Sequence, residues 1–368
     1  MIVVDATKRA IEELARLPQV RVIELDGAMT DPFAGERAEK SPAATTDSVD
    51  WGNGFWNLDR IGTYQAHNQG IRGGGAIVGI IDTGVNVDHQ ELNDSYWCKG
   101  YSSSYGCWHD AVNSDDKNDP GGTPYDDHGH GTGVLAVAVG NTVGIAPDAV
   151  WIACKSSAPT SGGGSAPINR ATLIECMEWM LAPDGVPAWA PDVVNMSNGI
   201  DAHRVELENA AKNLAWADIV LVAAAGNSGA SCQTVAFPAA YPGVLGVGSL
   251  SIYDTIAPSS SRGPSTLNNS IIKPDVVAPG TYIYTAGRWS GTYTWWNGTS
   301  FAAPHVTGLV ALIRGKSPYS SPDWMIDYLI PELSERKAAI NCAGSYASIN
   351  NDYGWGVINI PSTTALFP

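Results

Sequence analysis

The segment "GAIVGIIDTG" (residues 75–84) decides the fold class of this chain. Its apolar run does not alternate with polar residues, which is typical of a strand buried on both faces. Helix-length stretches separate it from four similar segments: "DAVWIACKS" (148–156), "PDVVNMSNG" (191–199), "DIVLVAAAGNSG" (218–229) and "VLGVGSL" (244–250). This order predicts an α/β fold of three layers, in which helices cover both faces of a mainly parallel central sheet.

Polar residues follow three of these predicted strands where the strands end. They are Asp82, Asn198 and Asn227. In an open parallel sheet, ligands bind beyond the carboxyl ends of the strands. The sequence therefore predicts a functional site at this edge.

The N-terminal part of the chain differs from the rest. Residues 1–30 predict a small β-α-β segment, with Ile11, Leu14 and Leu17 on one helix face. Residues 31–50 lack periodicity and are rich in Ala, Pro, Thr and Asp, which is typical of an exposed linker open to proteolysis. We expect residues 51–368 to form the α/β domain.

The charge balance argues against some classes of partner. The 21 basic and 37 acidic residues give a net charge of −16, and that field repels nucleic acid. We find no uncharged apolar stretch of 18 residues, so we expect no membrane span. The first 30 residues carry charges throughout and show no signal-peptide pattern.

The cysteines predict disulfides. Six are present: Cys98, Cys107, Cys154, Cys176, Cys232 and Cys342. Cys98 and Cys107 bracket the polar loop "CKGYSSSYGC", which a short disulfide would close, although two free thiols are the alternative. Cys154 and Cys176 lie on a predicted strand and the next helix, so we also favour that pair. The even number favours an oxidising compartment.

Three residues together predict nucleophilic catalysis. A serine hydroxyl needs a base within reach, and a third group has to orient that base. Asp82 ends a buried strand, His130 begins the apolar "HGTGVLAVAVG", and Ser300 lies in "NGTSFAAPHVTG" (297–308). Taken one at a time, Asp82 could be a turn residue, His130 a histidine at a helix start and Ser300 a helix N-cap. With Ser300 as N-cap, Pro304 is expected where its missing N–H costs nothing.

The order Asp, His, Ser within these motifs resembles the subtilisin-like serine proteases, the subtilase family, from about Trp51 to the end. The supporting motifs are "HGHGTGV", "PDVVNMSNG", "AAAGNSG", "SSSRGPS", "KPDVVAPG" and "NGTSFAAPHVTG". The passages "VGIAPDAVWIACKS" and "LIECMEWMLAP" are similar to the bacillopeptidase F-like branch. The resemblance implies a serine endopeptidase with a peptide or protein substrate, expected to be a monomer.

The resemblance assigns catalytic roles by motif. Asp82 would orient the imidazole of His130, and His130 would act as general base for the attack by Ser300. The side chain of Asn227 would join the Ser300 amide in the oxyanion hole.

The motif around His130 departs from the family pattern in two ways. His128 is the alternative base, but only His130 directly precedes the Gly-Thr of the motif. The family's second motif histidine is here Gly133. Because that histidine is not a triad member, we expect no loss of activity.

The resemblance also implies a substrate pocket, with the peptide adding as a strand near residues 195–199. Ala236 stands where the family commonly has a glycine at the pocket floor, which favours medium apolar side chains in the substrate. Asp201 lies nearby and leaves selection of a basic side chain open. The two pocket walls are formed by Ser197, Asn198, Gly199, Ala224, Ala225 and Gly226.

The chemistry implied by the resemblance needs no cofactor, although structural calcium is common in the family. Glu91 occupies a position where relatives often carry a ligand. The acid-rich loop 113–122 is a second candidate, and a solvated loop is the alternative there.

The opening segment resembles the C-terminal half of the family's inhibitory propeptide. It could act as an intramolecular inhibitor that is cleaved between residues 30 and 50, or remain as a permanent extension. We expect a secreted or extracytoplasmic protein, with a cytoplasmic one as the alternative. A narrow processing protease and a silent peptide-binding pseudoprotease are the alternative functions.

Overall fold

The computed structural model describes residues 55–113, 122–159, 168–342 and 349–360, together with scattered positions between residues 10 and 20. The predicted β-α-β segment (1–30) lies outside the described residues except for those positions. The predicted processing linker (31–50) and residues 114–121 of the acid-rich loop also lie outside them.

The described residues contain strands at each segment where the sequence predicted one. The strands are β1 (Ile77–Asp82), β2 (Trp108–Asp110), β3 (Val150–Lys155), β4 (Val193–Met196), β5 (Val220–Ala224), β6 (Leu245–Leu250), β7 (Val276–Pro279), β8 (Ile283–Ala286), β9 (Tyr293–Trp296), β10 (Ser334–Glu335) and β11 (Val357–Ile358). The longer helices are α1 (Trp56–Arg60), α2 (Thr63–Asn68), α3 (His130–Val139), α4 (Arg170–Leu181), α5 (Val205–Trp216) and α6 (Thr299–Lys316).

Short helical turns complete the described chain. They are Pro183–Gly185, Pro187–Trp189, Pro322–Trp324, Met325–Leu329 and Ile330–Glu332. Among the residues described, no helix combines the length and the apolar character needed to cross a membrane.

Nine of the described strands form one sheet in the order β10-β11-β7-β6-β5-β4-β1-β3-β2. The pairs from β11 to β2 are parallel, and β10 runs antiparallel to β11. The predicted α/β class with a mainly parallel sheet is therefore confirmed. The register pairs Asp82 with Lys155, and Ile81 with Met196. The carboxyl ends of β1, β3 and β4 thus meet at one edge, where the predicted site residues follow.

Helices cover both faces of this sheet. On β1, a side chain added at Gly79 would meet Met180 of α4 at 2.7 Å. On β4, Asn195 pairs in register with Ile80 and accepts a hydrogen bond from Thr307 of α6 (2.9 Å). Since successive residues of a strand point to opposite faces, α4 and α6 lie on opposite sides of the sheet. Helix α3 packs beside α6, and α5 beside α4.

Three disulfides link the cysteines, all of which are described. Cys98 is bonded to Cys107, and Cys154 on β3 is bonded to Cys176 on α4. The third pair joins Cys232 and Cys342 across 110 residues of sequence.

Candidate active site

Asp82 and His130 form a buried pair at the carboxyl edge of the sheet. Asp82 is the last residue of β1 and is 1% exposed, and His130 is the first residue of α3. The His130 Nδ1 lies 2.7 Å from the Asp82 Oδ1, which also accepts the Thr83 amide at 2.7 Å. Because a carboxylate can only accept, Nδ1 carries the proton. Nε2 is then the nitrogen that can take a proton from a substrate or a serine.

Glycine follows His130 because the backbone there approaches β1 closely. A Cβ at Gly131 would lie 2.2 Å from the Gly84 carbonyl oxygen and 3.2 Å from the Asp82 Oδ1. Any larger residue would push the start of α3 away from Asp82.

Ser300 is buried at the start of α6, but it is not the N-cap that the sequence suggested. The helix begins at Thr299 and its N-cap is Gly298, whose φ of 138° suits glycine. Ser300 is therefore the second helical residue. Its hydroxyl donates to the Ser197 carbonyl at 2.8 Å instead of capping the helix.

The expectation for Pro304 was also wrong. Because α6 begins at Thr299, Pro304 lies inside the helix rather than in its first turn. In an α-helix the amide of residue 304 would donate to the carbonyl of Ser300, and proline has no amide hydrogen. The Ser197 hydroxyl takes this place and donates to the Ser300 carbonyl at 2.7 Å.

An aromatic contact links His130 to the neighbourhood of Ser300. The His130 ring lies 5.4 Å from the ring of Phe301, the residue after Ser300, and 5.9 Å from that of Trp296. Trp296 and Phe301 stack on each other at 4.9 Å. A Cβ at Gly133 would lie only 3.3 Å from the Trp296 Nε1 and 3.4 Å from the Phe301 Cε1. The aromatic pair thus lines the space beside Gly133.

Asn227 is also held at the start of α6. Its Oδ1 accepts the Thr299 amide at 2.9 Å and the Thr299 hydroxyl at 3.2 Å. The Thr299 hydroxyl also accepts the amide of Gly226 at 3.0 Å. These bonds orient the amide plane of Asn227 next to the Ser300 turn. Gly226 has a φ of +102°, which favours glycine at this bend.

The residues predicted as pocket walls are adjacent in the structure. Backbone bonds connect Ala236 to Ala225 (2.8 Å), and Ile200 and Phe237 pair next to them. A Cβ at Gly226 would lie 3.2 Å from the Ala236 methyl, so Ala236 lies directly against Gly226. The structure thus brings the β4 and β5 ends together at Ala236.

On the β4 side of this pocket, Ser197 and Asn198 are buried, and Asn198 donates to the Ser156 hydroxyl at 3.0 Å. Gly199 follows them, and Ala224 ends β5. Asp201, in contrast, is exposed.

The structure also shows a residue that the sequence analysis missed. Asp126 is buried, and its Oδ1 accepts bonds from the Thr83 hydroxyl (3.0 Å), the His128 amide (3.0 Å) and the Gly129 amide (2.8 Å). Its Oδ2 accepts from the amide (3.0 Å) and hydroxyl (2.7 Å) of Thr132. Asp126 therefore holds the first turn of α3 around His130. The signal was an acid four residues before a helix-starting histidine.

His128 lies beside the pair without joining it. Its ring is 6.2 Å from that of His130, and the Asp82 carboxylate contacts His130. Burial, followed by the charge that His130 can carry, lowers the pKa of His128. This shift favours the neutral imidazole of His128.

Glu91 does not fit a calcium ligand. Its carboxylate is buried and accepts bonds from the Thr142 hydroxyl (2.5 Å), the Tyr293 hydroxyl (2.6 Å) and the Thr142 and Val143 amides (2.8 and 3.3 Å). Burial raises its pKa, but these donors outweigh burial and lower the pKa overall. A cation would have to displace the donors. Among the described residues, no cluster of three His, Cys, Asp or Glu side chains could hold a metal.

The sequence profile of the Subtilase family matches residues 73–356, which is more than half of the chain. The chain belongs to the subtilase family. The matched range includes β1 with Asp82, the start of α3 with His130 and the first turn of α6 with Ser300.

Individual subtilases resemble the chain over almost its whole length. Bacillopeptidase F of Bacillus subtilis (strain 168) is 32% identical over 97% of this chain, which covers 25% of that protein. A thermostable alkaline protease of Halalkalibacterium halodurans is 29% identical over 98% of this chain and 82% of its own. Subtilisin E of Bacillus subtilis is 29% identical over 96% and 77%. The chain thus spans a quarter of bacillopeptidase F and about four fifths of the shorter relatives.

These comparisons confirm the predicted resemblance and the enzyme class. The chain is a subtilisin-like serine endopeptidase, a hydrolase. Members of this class act on peptide or protein substrates and need no cofactor for the chemistry.

Proposed function

We propose that this subtilase cleaves peptide bonds through an acyl-enzyme on Ser300, with Asp82, His130 and Ser300 as its triad. The bond between buried Asp82 and His130, 2.7 Å long, is the observation that carries the proposal. It keeps the proton on Nδ1, so Nε2 can remove the Ser300 proton as the hydroxyl attacks the scissile carbonyl.

The residues around the triad stabilise the charges that develop during the reaction. The protonated imidazole is stabilised by the Asp82 carboxylate and passes its proton to the leaving amine. Asn227, oriented through Thr299, and the Ser300 amide at the start of α6 stabilise the oxyanion. Water enters after the amine has left, and His130 removes its proton as the water oxygen attacks the acyl carbon. His130 then returns this proton to the Ser300 oxygen as the acyl bond breaks, which restores the free hydroxyl.

Substrate recognition is proposed at the walls formed by Ser197, Asn198, Gly199, Ala224, Ala225, Gly226 and Ala236. The Ala236 methyl, which lies against Gly226, would make this pocket slightly shallower and favour medium apolar residues of the substrate over large aromatic ones. Exposure of Asp201 supports broad rather than strictly basic selection.

We further propose that the enzyme is a self-processing zymogen that acts outside the cytoplasm as a monomer. Residues 1–30 would inhibit the cleft, and cleavage between residues 30 and 50 would release them. Three disulfides support an oxidising compartment, since thiols are kept reduced in most cytoplasms.

The test compares the purified parent with Ser300→Ala. Fluorophosphonate labelling of intact protein reports the nucleophile, and intact mass with N-terminal sequencing reports processing. We expect the parent to be labelled on Ser300 and to lose a fragment ending between residues 30 and 50. The variant should stay whole and unlabelled, although its thermal midpoint is retained.

Other outcomes distinguish the alternatives. An unlabelled, correctly folded parent would support a peptide-binding pseudoprotease. A labelled parent that cleaves a single sequence from a peptide library would support a narrow processing protease. A parent that is labelled but keeps its first residues would contradict the proposed zymogen processing and leave the proposed catalysis supported.

A further inference from the structure

Lys155 is a fully buried cation at the end of β3. Its side chain is 0% exposed, and its ammonium contacts three acceptors. It donates to the carbonyl of Thr83, to the Asp127 carboxylate at 2.7 Å and to the carbonyl of Ser157 at 3.0 Å. Since an ammonium has three hydrogens, these acceptors satisfy it. Removing a charge from water is costly, so such a placement calls for an explanation.

The acceptors of Lys155 flank the two residues of the buried pair. Thr83 directly follows Asp82, and the Thr83 amide donates to the Asp82 carboxylate. Asp127 lies three residues before His130, in the turn that Asp126 organises. Lys155 itself is the register partner of Asp82 on the neighbouring strand. One ammonium therefore connects the turn after Asp82 to the turn before His130.

Most charged and titratable groups around Lys155 are acidic or neutral. Asp110 on β2 is its register partner on the other side, and the Tyr125 ring lies 5.0 Å from its ammonium. Asp127 is the group that forms the ion pair with Lys155. The same strands and the same turn also carry the titratable groups of Asp82, Asp126, His128 and His130.

We propose that Lys155 is a positioning residue that sets the geometry between Asp82 and His130. The proposal rests on the proposed triad. Lys155 does not touch the substrate; it holds the two turns at a fixed separation, which keeps the imidazole in line with the carboxylate and the nucleophile. Small displacements of a catalytic group reduce the rate steeply, because reaction requires a narrow range of distances and angles.

Lys155→Met tests this, because methionine keeps the length of the side chain and removes its charge. The chain supplies a matched control in Lys273, which is 2% exposed and bonds the Val244 carbonyl (2.6 Å) and the Asp275 carboxylate (2.7 Å). Lys273 precedes β7, and its ammonium bonds residues next to β6 and β7 rather than the turns around Asp82 and His130. Lys273→Met therefore reports the cost of removing a buried ammonium elsewhere in the same fold.

We expect kcat of Lys155→Met to fall about a hundredfold with KM nearly unchanged, when assayed below the thermal midpoint. Lys273→Met should lower the thermal midpoint and keep kcat. Normal kcat in folded Lys155→Met would overturn the proposal. So would an equal loss of kcat in both variants, since that would be a general effect of a lost buried charge.

Asp127→Ala provides the second variant if Lys155→Met does not fold. Its side chain is 35% exposed, so water can take its place at the ammonium, which also keeps its two carbonyl acceptors, and the fold should be retained. We expect a smaller loss of kcat, about tenfold, and unchanged kcat would overturn the proposal. Fluorophosphonate labelling of the parent is measured in parallel. A parent that is not labelled contradicts the proposed function itself, whatever the Lys155 variants show.

Discussion

Ser197 and Ser300 exchange two hydrogen bonds across 103 residues of sequence. The Ser197 hydroxyl donates to the Ser300 carbonyl (2.7 Å), and the Ser300 hydroxyl donates to the Ser197 carbonyl (2.8 Å). The first bond replaces the helical bond that Pro304 cannot make. The end of β4 and the start of α6 are therefore joined at the proposed nucleophile.

Ser197→Ala should destabilise the protein because it removes the hydroxyl that donates to the buried Ser300 carbonyl and accepts from the Asn195 side-chain amide (2.9 Å). An unsatisfied buried acceptor costs about 1–3 kcal/mol, which should lower the thermal midpoint by a few degrees. The Ser197→Ala/Pro304→Ala double variant restores an amide hydrogen at position 304. We expect the double variant to regain part of the loss, measured by thermal unfolding, because the bond from Asn195 to Ser197 is not restored. A double variant that is as unstable as Ser197→Ala alone would contradict this explanation.

Asn227→Asp should separate the two functions of this side chain, which accepts a bond from Thr299 and is proposed to donate one to the oxyanion. Aspartate keeps an oxygen for the Thr299 amide and loses the amide donor, so the thermal midpoint should stay close to that of the parent. Loss of an oxyanion donor costs roughly a hundred- to thousandfold in kcat, as found in subtilisin. KM should change little. Asn227→Ala should lose kcat equally and also lower the midpoint, because Thr299 loses its acceptor.

Asp126→Asn should lower kcat although the change is isosteric. The five donors around this carboxylate need two acceptor oxygens, and an amide would place its own hydrogens against some of them. The turn before His130 should relax, and we expect kcat to fall about tenfold or more. Asp94→Asn is the control, since Asp94 forms an exposed ion pair with Lys99. Equal kcat in the two variants would contradict a positioning role for Asp126.

A network of four ion pairs near the surface predicts a small contribution to stability that depends on pH. Arg60 and Lys337 each bridge Asp254 and Glu335, at distances of 2.5–2.9 Å. Burial raises the pKa of Asp254, but bonds from Arg60 and Lys337 outweigh this and lower it overall. The bond from Lys337 is the main cause that lowers the pKa of Glu335.

Both carboxyl groups have a lower pKa in the folded protein than in the unfolded chain, where it is about 4. Their contribution to stability is therefore complete above about pH 4 and is lost as the pH falls through the folded-state pKa values. Because the acids are 43% and 49% exposed, we expect at most about 1 kcal/mol. Lys337→Met should therefore lower the thermal midpoint at pH 7 and not at pH 2–3. A midpoint difference that persists at pH 2–3 would contradict the assignment.

Much of the fold could be predicted because its signals are local. Buried parallel strands are continuous apolar runs, and each of the five runs predicted between residues 75 and 250 contains a strand in the structure. The α3 start at His130 was also predicted from its apolar sequence. The N-cap of α6 was misplaced by two residues, at Ser300 instead of Gly298, because glycine, threonine and serine are all accepted at that position.

The sequence by itself determined the strand pattern, the order of Asp82, His130 and Ser300 along the chain, and the family to which these motifs belong. Only the tertiary structure decided how Ser197 compensates for Pro304, how Asp126 holds the His130 turn and how Lys155 contacts both turns. The physical reason is the range of the interactions. Apolar periodicity acts over a few residues, whereas the partner of a buried polar group is chosen by packing between segments far apart in the chain.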